Sequence, residues 1–269
     1  MSWRVVAGRD ADVTVEARSV KLLLGMLVTA VVLAGYVYPM IGREPYTTAR
    51  FSGFVHGLVT TLVPFVGILL GYNAVVSDRE SGAIRLTLSL PHSRRDVVAG
   101  TYASRTGLLT AAVVGALVAA GALVVYPFGD LELVPFLLYV ALTVAFGAVW
   151  SGLGIAVSLA VATSRRALVL GFGLVFLFVV VWDAVERALT LGLSAAGLAD
   201  DGLPWPVRFL IELEPGHVFG RVTAGFVDPA RSVGDAWYLS EWLALGLLVL
   251  WVVGPLGLAY ARFAGRDLA

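Results

Sequence analysis

Cysteine is absent from the 269 residues, which excludes disulfides, thiolate metal sites and cysteine nucleophiles together. Histidine occurs three times, at His56, His92 and His217, with no i,i+4 pair that could share a metal on one helix face. Methionine also occurs only 3 times, once as the initiator, so nothing in the composition favours copper as a ligand. Neither zinc nor copper is expected on this chain alone. Lysine appears once, as Lys21, leaving 19 − 1 = 18 arginines. Net charge is zero at pH 7, so no global basicity argues for nucleic acid. Charged residues are 14% of the chain, against about 25% in soluble domains.

Apolar residues fill the gap, at 59% of the chain with a mean hydropathy of +0.88. That excess needs a bilayer as its solvent. Six stretches reach the roughly 20 residues that cross a ~30 Å hydrocarbon core: about 21–41, 54–76, 106–127, 133–161, 167–190 and 241–261. The first has a basic start like a signal peptide, but its core is too long and "VLAG" is a poor cleavage site. It is read as a retained span. With both termini cytoplasmic, thirteen Lys and Arg fall inside and six outside, four of those six in one long loop. The short loop "PFGDLEL" carries acids and no base. The expected fold is therefore all-α, with six transmembrane helices, N-in and C-in.

Intramembrane chemistry is hard to place on these spans. Proteolysis within a bilayer needs paired Asp, a Ser–His pair or a zinc motif at one depth. Ser151 has no His at matching depth, and Asp183 has no Asp partner. The midplanes are nearly free of charge, which speaks against an ion-coupled carrier. A non-transporting membrane scaffold remains an alternative. Asp183 follows Arg166 by sixteen apolar residues, about 24 Å of helix. It either pairs with Arg187 at i,i+4 or lines a transport route. Asn73, near the inner end of the second span, either bonds between helices or contacts substrate. His56 is read as an interfacial histidine, and Pro64 as a kink. The small-residue run "GAVWSGLGIAVSLA" permits close helix approach, within the subunit or in a dimer.

Charge concentrates instead in "SDRESGAIRLTLSLPHSRRD", residues 77–96, with seven charged side chains. Ser77-x-x-Glu80 and Ser93-x-x-Asp96 both have capping-box spacing. Pro91 lies between them and breaks the path. The expectation is a helix over about 78–90, a corner at Pro91, and a second helix from about 94 into the third span. "AIRLTLSL" also alternates as a strand would, but a lone strand leaves its edges unpaired. On a helix Ala83, Leu86 and Leu90 share one face. That face either lies back on the protein's own membrane ends or docks a soluble partner.

The stretch "SDRESGAIRLTLSLPHSRRDVVAGTYASRTGLL" resembles the cytoplasmic segment of ABC-2-type transporter permeases. Glu80, Gly82, Leu88, Leu90, Pro91, Ser93, Arg94, Arg95 and Asp96 match it residue by residue, with Asp78 in its acidic start. "RDADVTVEARSVKLLL" is similar to the amphipathic helix before the first span of that family. "VVVWDAVERAL" and "LEPGHVFGRV" resemble the end of the fifth span and the external segment before the sixth. They are most like the NosY-like group linked to multicopper-enzyme maturation.

The resemblance implies one transmembrane domain over 1–269. It would comprise an amphipathic N-terminal helix at 1–20, a cytoplasmic coupling segment at 77–100 and an external segment at 191–240 with interfacial or re-entrant helices. It also implies a permease subunit that exports a substrate, pairs with a second permease subunit, homo- or heterodimeric, and seats its coupling helix on an ABC ATP-binding subunit. No cofactor belongs to this chain on that view; ATP and Mg sit on the partner. The residues add one point of their own. A P-loop needs a lysine after its glycine-rich loop, and Lys21 instead opens a span after Arg18-Ser19-Val20. The chain is therefore expected not to be an enzyme.

Overall fold

The computed structural model describes residues 3–42, 44–82, 93–126, 129–198, 203–228, 234 and 236–265. Eleven α-helices run through them. Helix α1 (Trp3–Glu16) ends at an extended Ala17, after which α2 (Arg18–Ile41) makes the first span. Helix α3 (Thr48–Gly71), a four-residue turn and α4 (Val76–Glu80) form the second span and its continuation. Then come α5 (Arg94–Val125) and α6 (Leu133–Ala160), the third and fourth spans. The fifth span joins α7 (Ser164–Val175), a π-helical segment over Phe176–Val181 and α8 (Trp182–Ala195). Two short helices, α9 (Trp205–Ile211) and α10 (Pro215–Phe226), precede the sixth span, α11 (Glu241–Ala264). Among the described residues six helical stretches are long and apolar enough to cross a membrane, and the single β-type pairing is an isolated bridge between Thr47 and Asp130.

The fourth span is the centre. Of its most apolar stretch 56% is buried, against 11% for each of the fifth and sixth spans. It packs on the second, third, fifth and sixth spans, while the first span lies outside against the second and third. Phe146 and Trp150, both fully buried, meet edge to face in its middle with ring centroids 6.2 Å apart. Phe178 of the π segment packs edge to face on Trp150 and on Trp251 of α11.

The small-residue run lets the second and fourth spans touch backbone to backbone. A Cβ on Gly71 would stand 2.8 Å from the Ile155 nitrogen and the Ser151 oxygen. One on Gly154 would stand 3.0 Å from the Gly71 Cα and the Ile68 oxygen. A side chain at either point would push the two backbones apart, so this part of the run serves packing inside the subunit. Helix α3 continues through Pro64 without interruption.

Helix α1 lies along the start of the third span. Asp10 and Arg105 fasten it there by two parallel bonds of 2.8 Å, the fork geometry that makes Arg–carboxylate pairs strong. Arg105 Nη1 also donates to the Leu70 carbonyl of α3 at 3.4 Å, so one guanidinium joins three helices.

Candidate functional site

Two regions carry most of the polar bonds between helices: the α1/α4 end of the bundle and the α9–α10 end. At the first, the expected Ser93 capping box is present. Ser93 Oγ accepts from the Asp96 amide at 3.1 Å and the Ser93 amide donates to the Asp96 carboxylate at 3.2 Å. Helix α5 therefore starts at Arg94, with its first orphan donors satisfied locally.

The other expected box, at Ser77 and Glu80, does not form. Helix α4 begins two residues earlier than that spacing implies, with Val75 as its cap residue and no side-chain cap of its own. Val75 and Val76 are buried, and Val76 packs with Val157 and Ala167. Their amides both donate to Ser158 Oγ of the fourth span, at 3.0 and 2.9 Å. Ser77 is thereby inside the helix, where its hydroxyl donates to the Asn73 carbonyl at 2.8 Å, and the Glu80 carboxylate is bonded by Ser164.

Of the helix expected over about 78–90, the described residues hold only the first turn, as part of α4. Helix α4 stops at Glu80 and the chain turns at Gly82, whose φ of +75° suits glycine and few other residues. Leu88, Leu90 and Pro91, with the rest of 83–92, lie outside the described residues.

The remaining residues of the island divide by use. Arg79 donates to the Leu159 and Val161 carbonyls at 3.5 and 3.2 Å. Arg94 donates to the Phe263 and Ala264 carbonyls, both at 3.1 Å, and lies 5.7 Å from the Phe263 ring centroid. A cation there satisfies the last carbonyls of α11 and complements its dipole. Asp78 and Arg95 are exposed. Arg95 lines an open groove of about 430 Å³ with Trp3, Asp96, Ala99 and Ala103. Asn73 is exposed in the turn before α4, and its carbonyl serves Ser77 rather than another span.

At the opposite end, helices α9 and α10 are pinned by side chains that the sequence did not single out. Trp182 of α8 and Trp251 of α11 donate their indole N–H to the carbonyls of Ile211 and Leu213, at 3.1 and 2.8 Å. Arg221 bonds the carbonyls of Tyr238 and Glu212 at 2.9 and 2.6 Å and pairs with the Glu212 carboxylate at 3.3 Å. Glu214 is 5% exposed and caps α10 by accepting from the His217 amide. Burial pushes its carboxyl above the usual carboxylate range, opposed by the Gly216 and His217 amides. "EPGH" carries a visible signal for that cap, an acid directly before a Pro at the first helical position.

Phe219 of α10 stacks on His56 of α3, with centroids 5.2 Å apart and planes 4° apart. Trp205 and Trp237 are both exposed. Asp183 is exposed on α8 and forms no ion pair with Arg187. The two instead line an open groove of about 610 Å³ with Glu186, Thr190 and Leu191. No group of three or more His, Asp or Glu that could hold a metal occurs among the described residues.

Comparison with known proteins places these features. The family described as ABC-2 family transporter protein matches residues 6–268. A protein of Pseudomonas aeruginosa named "Probable ABC transporter permease protein NosY" is 28% identical over 236 residues, covering 83% of this chain and 82% of that one. The protein of the same name from Stutzerimonas stutzeri is 31% identical over 228 residues, covering 78% of each.

Proposed function

The chain belongs to the ABC-2 family of transporter proteins and is a membrane permease subunit of an ABC transporter, and on that premise we propose that residues 77–96 couple it to a separate ATP-binding subunit. The observation that carries the proposal is how the segment is held. Its entry leg, α4, is bonded to the fourth and fifth spans, and its exit leg is bonded through Arg94 to the end of the sixth. A segment tied at both legs can pass a push to the helices behind it, whereas a slack loop would absorb it. Asp78 and Arg95 are exposed on it and offer charge to a partner surface. Glu80, Gly82, Leu88, Leu90, Pro91, Ser93, Arg94 and Asp96 complete the proposed contact segment.

Two copies, or this chain and a related one, form the membrane pathway on this proposal, with ATP and Mg held by the partner subunits. Asp183, with Glu186 and Arg187 in the open groove of the fifth span, is the proposed pathway residue; Asn73 is the weaker candidate. Both termini face the cytoplasm, supported by the arginine distribution, and transport is outward, as the resemblance implies. The apolar spans and uncharged midplanes suit a route for an amphiphile better than one for a bare ion.

Co-expression with the ATP-binding subunit of an ABC transporter tests the proposal. Asp78→Arg and Arg95→Glu are expected to lower co-purification and permease-dependent ATP turnover by about tenfold, the scale of one close charge pair at an interface. Wild-type behaviour in both variants would refute the coupling assignment. The chain has no cysteine, so single introduced cysteines report sidedness directly.

A further inference from the structure

The entry leg of the coupling segment is covalently continuous with the second span, yet its side-chain and amide bonds run elsewhere. Between α3 and α4 the chain makes a turn over 72–75, so α4 does not simply prolong the second span. The amides of its cap residue Val75 and its first residue Val76 end on Ser158, a fully buried residue of the fourth span. Its arginine reaches over the turn that follows, to the carbonyls of Leu159 and Val161. Its last residue, Glu80, is bonded by Ser164 at the start of the fifth span. Beneath these bonds Val76, Val157 and Ala167 form a small buried cluster of their own.

We propose that Ser158 and Arg79 bolt α4 to the turn between the fourth and fifth spans, so that these spans, as well as the second, receive the motion of the coupling segment. The inference rests on the coupling role proposed above. Ser158 is a positioning residue: a hydroxyl has two acceptor lone pairs, enough for both amides, and its own place on the fourth span is fixed by the contact of Gly71 with Gly154 one turn away. Arg79 adds the second point of attachment. With two points on one turn, α4 can push or pull it but cannot pivot away from it.

The bolt is removed by Ser158→Ala, which leaves two buried amides without an acceptor. Thr retains the hydroxyl, so Ser158→Thr is the conservative control, and Arg79→Gln removes the second attachment independently. Hydrogen exchange on the full-length permease in detergent micelles should show the Val75 and Val76 amides exchanging about tenfold faster in Ser158→Ala, and near wild type in Ser158→Thr.

Bound to the ATP-binding subunit, Ser158→Ala should retain co-purification and lose about tenfold in permease-dependent ATP turnover, with Arg79→Gln falling in the same direction and Ser158→Thr staying near wild type. Unchanged exchange at both amides would overturn the bolt. Faster exchange with wild-type ATP turnover would overturn its part in coupling. Failure of the wild-type chain to bind any ATP-binding subunit would instead sink the coupling role itself, and is told apart because it occurs without substitution.

Discussion

Replacing Gly71 by alanine tests the crossing that holds the bundle together. The added methyl would lie 2.8 Å from the Ile155 nitrogen, 2.8 Å from the Ser151 oxygen and 2.9 Å from the Gly154 carbonyl carbon. All three are backbone atoms, so no rotamer change relieves the overlap. Ordinary contact needs ~3.5–4.0 Å, and the two spans must therefore part by roughly 0.7–1 Å. A gap of that size forfeits a quarter to a half of the dispersion attraction for each atom pair along the crossing. Overpacking of this kind costs ~1–3 kcal/mol. Alanine's better helix propensity returns less than ~1 kcal/mol, because Gly71 is the last residue of α3. The expected net loss is about 1–2 kcal/mol. Gly57→Ala is the control, on the same helix with nothing within 4 Å of the added carbon. Reversible unfolding in mixed micelles, followed by tryptophan fluorescence, reports the difference. Equal stability of the two variants would show that the spans do not touch at Gly71 in the membrane.

Other outcomes follow from single contacts. Burial raises the Glu214 carboxyl above its unfolded value, so its protonated form is favoured in the folded chain. Stability should rise as pH falls from neutral towards the ordinary glutamate range and be lost as pH climbs through the raised value. Glu214→Gln keeps an acceptor for the His217 amide and should flatten that dependence, whereas Glu214→Ala should also lose the cap, about 1 kcal/mol, both measured by melting against pH. Asp10→Ala leaves Arg105 half-buried and unpaired, and should speed amide exchange in α1. The double change Asp10→Ala/Arg105→Ala should cost less than the sum of the two single changes, as a double-mutant cycle reads. Trp251→Phe removes the bond to the Leu213 carbonyl and should destabilise by about 1 kcal/mol while freeing α9–α10 for proteolysis.

The six spans were legible because a bilayer demands long apolar runs, and that demand is written in composition alone. The centre of the bundle was half legible. The run around Ser151 and Gly154 announced a close approach, but its partner, Gly71, lies 80 and 83 residues away from them, and no periodicity names a partner. The bonds at the α9–α10 end escaped for a related reason. In the sequence Trp182 and Trp251 stand within long apolar runs, and their indole N–H groups acquire meaning only where the fold sets the Ile211 and Leu213 carbonyls opposite them. Asp183 and Arg187 erred the other way: spacing permitted a pair, and at an exposed site the entropy of two long side chains outweighs so weak an attraction.

The two capping boxes make the physical limit plain. Ser93 and Asp96 are three residues apart, and each satisfies the other's backbone without help from the fold. Such a bond is decided locally, and a short window predicts it. Ser77 and Glu80 have the same spacing, yet Val75 and Val76 just before them are apolar and become buried. Burial carries their amides into the protein, where an acceptor is required, and the hydroxyl available there is Ser158, 83 and 82 residues away. The fold thus overrides the local cap, shifts the helix start by two residues, and releases Glu80 to reach Ser164. A helix that borrows its cap from another span is also mechanically joined to that span. The failed local prediction and the proposed route of motion have the same cause.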